Sequence, residues 1–314
     1  MKLLKELYKI YSPTGREKGM RKFIIQWVKD HCRNTMIAKD QKGNLYITKG
    51  KANNFPALCA HMDQVQKHRA PDFAVYQAED MLFGYSKQYK EYQGLGADDK
   101  NGIWVCLKCL EKYDALKVAF FVEEEAGCVG SQKAVMSFFD DCRYVLQIDR
   151  KNGGDFITTI GGWTPLCSKE FIEAVQPLKF GYHEEVGLMT DVESLKENGL
   201  KVSAANISCG YYNPHTDTEF TLYSELENCL HFVEHIIETC QDTYKHELDA
   251  YHFDEYDRAI EEDEYRDIIA RHLEENPELT AKDIMEWYNG MFFYLKETDF
   301  DRLIQEEKRR SFNY

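Results

Sequence analysis

The sequence predicts an α/β protein: a mixed, mostly parallel central sheet with helices on both faces, followed by a C-terminal helical extension. Three observations carry that expectation. Over residues 1–240, helical spacings alternate with short β-branched or apolar runs, the pattern of a sheet covered by helices on both faces. Of the 19 Gly, 18 precede residue 241. Charge divides at the same place: residues 241–314 hold 21 Asp+Glu against 10 Lys+Arg, a net of −11, which leaves −4 of the total −15 for residues 1–240.

Taken in order, the first 240 residues predict helices over 3–11, 17–32, 101–113, 131–139, 192–198 and 224–240. Between them, runs of four to six residues bounded by polar or Gly residues predict strands over 44–48, 57–60, 118–122, 144–148, 156–160 and 202–207. The extension predicts about three helices, over 265–273, 280–295 and 300–308, with Thr280 and Asp283 three residues apart as a helix-start signal. The aromatics Trp287, Tyr288, Phe292, Phe293 and Tyr294 are too many for a solvated acidic arm, so the extension is expected to pack on something. This divides the chain into residues 1–240 and 241–314.

Composition narrows the function classes. A chain of 314 residues with 43% hydrophobic and 30% charged residues can bury a core and is not disordered. A net charge of −15 argues against nucleic acid or an anionic membrane as partner. No window approaches the roughly 18–20 apolar residues of a membrane span. The N-terminal MKLLKELYKIYSPTG has no apolar signal region and reads as mature sequence. Ten scattered Cys without framework spacing point to a reducing, cytoplasmic setting.

In open α/β sheets ligands bind beyond the carboxyl ends of the strands. The residues following the expected strands are His61-Met62-Asp63, Glu123-Glu124-Glu125-Ala126-Gly127 and Asp149; Gly96-Ala97-Asp98-Asp99-Lys100 and Asn213-Pro214-His215 fall in loops. Singly, each is ordinary: a His-x-Asp is usually a surface loop, a Glu run a solvated helix start, and Asp-Asp before a helix a cap. Together they bring two imidazoles and several carboxylates to one edge. Clustered carboxylates cannot all stay ionised without a cation, so the set points to a metal site for hard-to-borderline ions.

These motifs, in this order, resemble the co-catalytic di-zinc exopeptidases, which include glutamate carboxypeptidase, peptidase T, glutamyl aminopeptidase and the aminoacylases. The family pattern is His-x-Asp, Gly-x-Asp-Asp-Lys-x-Gly, (Asp/Glu)-Glu-Glu-x-Gly, Asp and His. It is matched by His61–Asp63, by Gly96 to Gly102, by Glu123 to Gly127, by Asp149 and by His215, with Ser12-Pro13-Thr14-Gly15 similar to the family's opening loop. The resemblance implies two divalent ions, zinc first with cobalt or manganese as alternatives. One would take His61 and Asp149, the other Glu125 and His215, with Asp98 bridging. Glu124 would be the general base and Asp63 would orient the His61 imidazole. A cis peptide is implied at Asp98-Asp99.

Two departures from the family stand out. Only 66 positions separate Asp149 from His215, too few for the lid or dimerisation domain that relatives insert there, and 37 separate His61 from Asp98. A compact form without a lid is expected. The implied activity is hydrolysis of short peptides at a terminal amide, as an aminopeptidase or di/tripeptidase. N-acyl amino acid deacylation is the alternative reaction, and a catalytically silent binding protein the alternative of another class. Partners are then a short peptide or N-acyl amino acid, and a homo-oligomer is compatible.

Other motifs carry less. His231-Phe232-Val233-Glu234-His235 has inverted-zincin spacing on an expected helix, but its apolar residues fit helix packing. Cys106-Leu107-Lys108-Cys109 has CxxC spacing without a second pair and reads as two packing cysteines. Arg150 reads as a surface ion pair before a substrate ligand, and Gly161-Gly162 and Gly210-Tyr211-Tyr212 are candidate cleft walls.

Overall fold

A computed structural model describes residues 1–248, 265–266, 269–270, 272–273, 276–287 and 297–311. Residues Met1–Leu248 and Asp249–Tyr314 form separate compact units. The division falls after 240 because the segment beyond α6 stays attached to the first unit: the Ser203 N–H donates to the Tyr244 carbonyl, and Lys245 bridges Val202.

The first unit opens with helices α1 (Lys2–Lys9) and α2 (Lys18–His31), then strands β1 (Thr35–Lys39), β2 (Leu45–Lys49) and β3 (Phe55–His61). Next come β4 (Ala74–Ala78), β5 (Met81–Ser86) and β6 (Glu91–Gln93), helix α3 (Ala97–Lys112), β7 (Leu116–Phe121), β8 (Cys142–Arg150), β9 (Asp155–Ile160) and β10 (Thr164–Pro165). Helix α4 (Lys169–Val175), β11 (His183–Gly187), α5 (Asp191–Glu197), β12 (Ala204–Ser208), β13 (Tyr211–Tyr212), β14 (Phe220–Leu222) and α6 (Tyr223–Thr239) complete it.

Nine strands form one sheet in the order β1-β2-β7-β3-β8-β12-β9-β10, with β11 paired to β9. Its centre, β7-β3-β8-β12, is parallel, and β1, β2, β9 and β10 flank it antiparallel. All seven residues of β3 are buried, as expected of a strand covered on both faces. One core lies under α2, α3 and α6 with Ile24, Ile103, Leu107, Val118, Leu146 and Phe232; a second lies on the other face with Ala57, Phe121, Val145, Val192 and Leu195.

A second sheet, β13-β14-β5-β4 with β6 on β5, was not expected from the sequence. Its strands at 74–93 are rich in exposed polar and aromatic residues and lack a buried apolar run; each is held by cross-strand pairing, such as Phe83 with Tyr76 and Phe220. The helix expected over 131–139 is instead two 3-10 turns, Ser131–Lys133 and Met136–Phe139. Its α-like spacing arises from short turns that each bury one side, with Phe139 packed under the sheet.

The described part of the second unit holds helices α7 (Ala281–Trp287) and α8 (Glu297–Ser311), with Tyr265, Ile269, Ile284, Phe300 and Leu303 in a small core of their own. The helix start at Thr280 is formed: Thr280 N–H and Oγ1 donate to Asp283 Oδ2 at 2.9 and 2.7 Å, and Asp283 N–H donates back to Oγ1 at 3.3 Å. Tyr288, Phe292, Phe293 and Tyr294, on which the packing expectation for the extension rests, lie outside the described residues, as does the side chain of Trp287.

Candidate metal centre

Three parallel strands bring the first ligating groups to one edge. β3 ends at His61 and runs on to Asp63; β7 ends at Phe121, two residues before the Glu123–Gly127 turn; β8 carries Asp149 near its end. At Glu123 the backbone turns left-handed (φ 53°), residues 124–126 form a 3-10 turn, and Gly127 follows at φ 96°. Asp98 sits where the chain enters α3 with non-helical dihedrals, joined to Asp99 by a cis peptide. His215 comes from the β13–β14 hairpin, also left-handed at φ 65°.

The seven residues singled out in the sequence meet here. His61 Nε2 lies 2.9 Å from Asp98 Oδ1, 3.5 Å from Asp149 Oδ1 and 3.8 Å from Glu124 Oε2. His215 Nε2 lies 3.2 Å from the other Asp98 oxygen and 3.0 Å from Glu125 Oε2. Three overlapping groups have their donor atoms within 4.8 Å of one another: His61/Asp98/Asp149, Asp98/Glu125/His215 and His61/Glu124/Glu125. Asp98 joins the first two, and these triads use both imidazoles.

The donor set fits divalent ions. Glu125 Oε1 is buried with no hydrogen-bond partner among the described residues, and a cation bound there would satisfy it. Imidazole nitrogens and carboxylate oxygens are ligands of zinc and its borderline neighbours.

Electrostatics agree. Burial pushes the Asp149 carboxyl up to about 8 against the pull of His61. It also raises Glu124, with His61 opposing and Asp149 adding repulsion. Burial works in the same sense on Asp98, but hydrogen bonds from His215 and His61 outweigh it and hold this carboxyl below its usual range. Hydrogen bonds to Asp98 and Glu125 push His215 up to about 10. Without metal, His215 therefore carries a proton at pH 7, and an ion taking Nε2 must displace it. Zinc binding is thus expected to release protons and to weaken as pH falls. Calorimetry in buffers of different protonation enthalpy checks this; a heat that does not vary with buffer would contradict it.

The surrounding groups fix this geometry. Asp63 Oδ1 lies 3.3 Å from His61 Nδ1. The same carboxylate also accepts the Glu124 and Glu125 N–H groups at 3.0 and 3.2 Å and the Thr14 hydroxyl at 3.0 Å, so it ties the opening loop to the Glu turn. Asp99 accepts N–H bonds from His61 and Gly102 at 3.0 and 2.9 Å.

Two buried carboxylates escaped the sequence reading. Glu219 accepts the Gly96 and Asp98 N–H groups at 2.6 and 3.1 Å. Asp191, at the start of α5, accepts from Ser131 and leaves Oδ2 unpartnered. Glu219 falls in the polar hairpin Asp217-Thr218-Glu219, and Asp191 reads as an ordinary first-turn acid, so neither carries a signal. Removing Glu219 strands two buried donors at about 1–3 kcal/mol each. Glu219→Ala is therefore expected to lower the unfolding free energy by a few kcal/mol, read by denaturant titration, and an unchanged midpoint would contradict the assignment.

A cleft of about 240 Å³ opens on the cluster, with Asp98, Glu124, Glu125, Asp149 and His215 on one side and Ile157, Leu188, Met189 and Tyr211 among its other walls. Of the candidate cleft walls, Tyr211 lines it and Gly161, Gly162, Gly210 and Tyr212 do not. The His231–His235 pair is not a site among the described residues: His231 is exposed, His235 packs on Phe180, and Glu234 pairs with Lys112 at 3.0 Å. Cys106 and Cys109 are buried in α3, and all ten cysteines are free thiols.

No family model and no curated protein matches the chain. Solved structures do. An aminopeptidase PepT from Bacillus cereus aligns with a TM-score of 0.59 at 15% identity, over 75% of this chain and 96% of its own. A tripeptidase from Staphylococcus aureus aligns with a TM-score of 0.60 at 14% identity, over 76% and 96%. The chain shares the fold of these peptidase structures. A TET aminopeptidase from a marine sediment archaeon of the Thaumarchaeota gives the same picture, with a TM-score of 0.60 at 13% identity over 77% and 97%. In this chain the stretch between Asp149 and His215 holds only strands β9 to β13 and two short helices, with no inserted domain.

Proposed function

We propose that the chain is a metal-dependent exopeptidase that hydrolyses short peptides at a terminal amide, as an aminopeptidase or di/tripeptidase. The observation that carries this reading is the pair of triads sharing Asp98. His61, Asp98 and Asp149 would hold one divalent ion, and Asp98, Glu125 and His215 the other, with zinc the first choice. Ions bound there would polarise the scissile carbonyl and acidify a water. Glu124 then accepts the proton of the attacking water and delivers it to the leaving amine. Its burial and raised pKa suit a group that must hold that proton between the two steps. Asp63 keeps the Glu124–Glu125 backbone and the His61 ring in register.

A panel of free dipeptides, tripeptides and N-acetyl amino acids, assayed with zinc and after chelation, tests this. Metal-dependent hydrolysis of the free peptides is expected. Turnover confined to N-acetyl amino acids would replace the reading by deacylation, and binding without turnover by a silent binding protein. Chelation should also destabilise the fold. With metal at a hundred times Kd each ion contributes about 2.7 kcal/mol, and at roughly 2–4 °C per kcal/mol for a chain of this size removal of both should lower Tm by about 10–20 °C. An unchanged melting curve would contradict the site. No helix among the described residues is long and apolar enough to cross a membrane; with ten free thiols, we assign the chain to the cytoplasm. Assembly into a homo-oligomer is part of the same proposal, supported by the dodecamer formed by one neighbour of the same fold.

A further inference from the structure

Resting on that reading, we propose that Arg150 is the specificity residue of the cleft and receives the free C-terminal carboxylate of a short peptide. Arg150 follows Asp149 directly at the end of β8 and lines the same cleft. Its guanidinium is anchored on one side only: Nε donates to Asp155 Oδ2 at 3.0 Å, while Nη1 and Nη2 have no hydrogen-bond partner among the described residues. Asp155 is itself fixed, its N–H accepted by the Ser208 hydroxyl across from β12. A half-anchored guanidinium is a preorganised fork, and the two outer nitrogens are the pair that grips a carboxylate in bidentate fashion.

Charge in the cleft points the same way. Four carboxylates line it, Asp98, Glu124, Glu125 and Asp149, and two cations, Arg150 and Lys151. Divalent ions held by the four carboxylates would offset their charge, and with Asp155 paired to Arg150 at 3.0 Å the Arg150–Lys151 side keeps one net positive charge, which attracts an anion. The size of the cleft selects which anion: Arg150 and the four carboxylates line the same space of about 240 Å³, and in a dipeptide the terminal carboxylate follows the scissile carbonyl by a single residue, about 3.8 Å of chain. No lid segment between Asp149 and His215 stands by to supply another cation.

The test uses the zinc-loaded full chain with Leu-Ala, its C-terminal amide Leu-Ala-NH2, and Glu-Ala-NH2, which carries only a side-chain carboxylate. Wild type should favour Leu-Ala over its amide in kcat/KM by about 10- to 100-fold, the worth of a charge-assisted hydrogen bond. In Arg150→Gln that ratio should fall towards one, mainly through KM. Arg150→Lys, which can keep the Asp155 pair, should recover part of it. Calorimetric binding of Leu-Ala and Leu-Ala-NH2 to the zinc-loaded Glu124→Gln protein gives a readout independent of turnover and should show the same preference, lost when Arg150→Gln is added. A ratio near one in wild type, or an unchanged ratio in Arg150→Gln, would overturn the proposal. An effect of Arg150→Gln seen only with Glu-Ala-NH2 would overturn it in favour of a side-chain acid. Should no peptide be hydrolysed while Leu-Ala binding, measured by calorimetry, still depends on Arg150, the peptidase reading fails and the carboxylate site stands.

Discussion

Glu124→Gln is expected to lower kcat by the roughly 10²–10⁴ that a positioned general base contributes, while leaving metal content near that of wild type. The reason lies in the turn that carries it. Glu124 and Glu125 are neighbours whose N–H groups both bind Asp63, yet their carboxylates face different duties. Glu125 Oε2 sits 3.0 Å from His215 Nε2, whereas Glu124 Oε2 stays 3.8 Å from His61 Nε2 and its Oε1 accepts from the Cys128 thiol at 3.6 Å. The amide is isosteric and neutral, so the turn should persist while the proton acceptor is gone. Glu125→Gln makes the contrast, because it should lose metal. Kinetics paired with elemental analysis of both variants check the assignment; a fully active Glu124→Gln, or one that loses metal as Glu125→Gln does, would reverse it.

A larger effect is expected from Asp98→Ala. Asp98 pairs with both imidazoles, with Oδ1 2.9 Å from His61 and Oδ2 3.2 Å from His215, so its loss should dismantle both triads. Groups that act as a unit lose nearly all of their joint effect when one member is removed, and a fall in kcat/KM of about 10⁴ or more is expected. Metal content should drop at both sites together. Asp98→Ala retaining one full equivalent of zinc would show that the carboxylate serves a single ion.

How much of this was legible beforehand follows from the kind of signal each part emits. His61, Asp98, Glu125, Asp149 and His215 sit at strand ends and in the loops beside them, so their gathering at one edge was readable from the sequence. The central strands were readable for the same reason: β3 and β8 are short apolar runs forced inside by burial on both faces. The second sheet was not. Tyr76, Phe83, Tyr85 and Tyr92 form a packed aromatic group whose members are partners only across strands, a relation that linear spacing does not encode. Glu219 is invisible in the same way. It lies 121 positions from the Asp98 N–H it accepts, and only the docking of the β13–β14 hairpin beside the entrance to α3 makes it a support of the metal loop. The stretch over 131–139 misled in the opposite direction, since apolar residues three and four apart fit successive 3-10 turns as well as an α-helix.

The most direct measurement is a zinc titration of the metal-free full chain, with hydrolysis of a free dipeptide followed at each addition. The two triads sharing Asp98 predict a bound stoichiometry of about two ions per chain, with activity rising until the second site fills and vanishing on chelation. Saturation without peptide hydrolysis, or hydrolysis that persists in the chelated protein, would contradict the account.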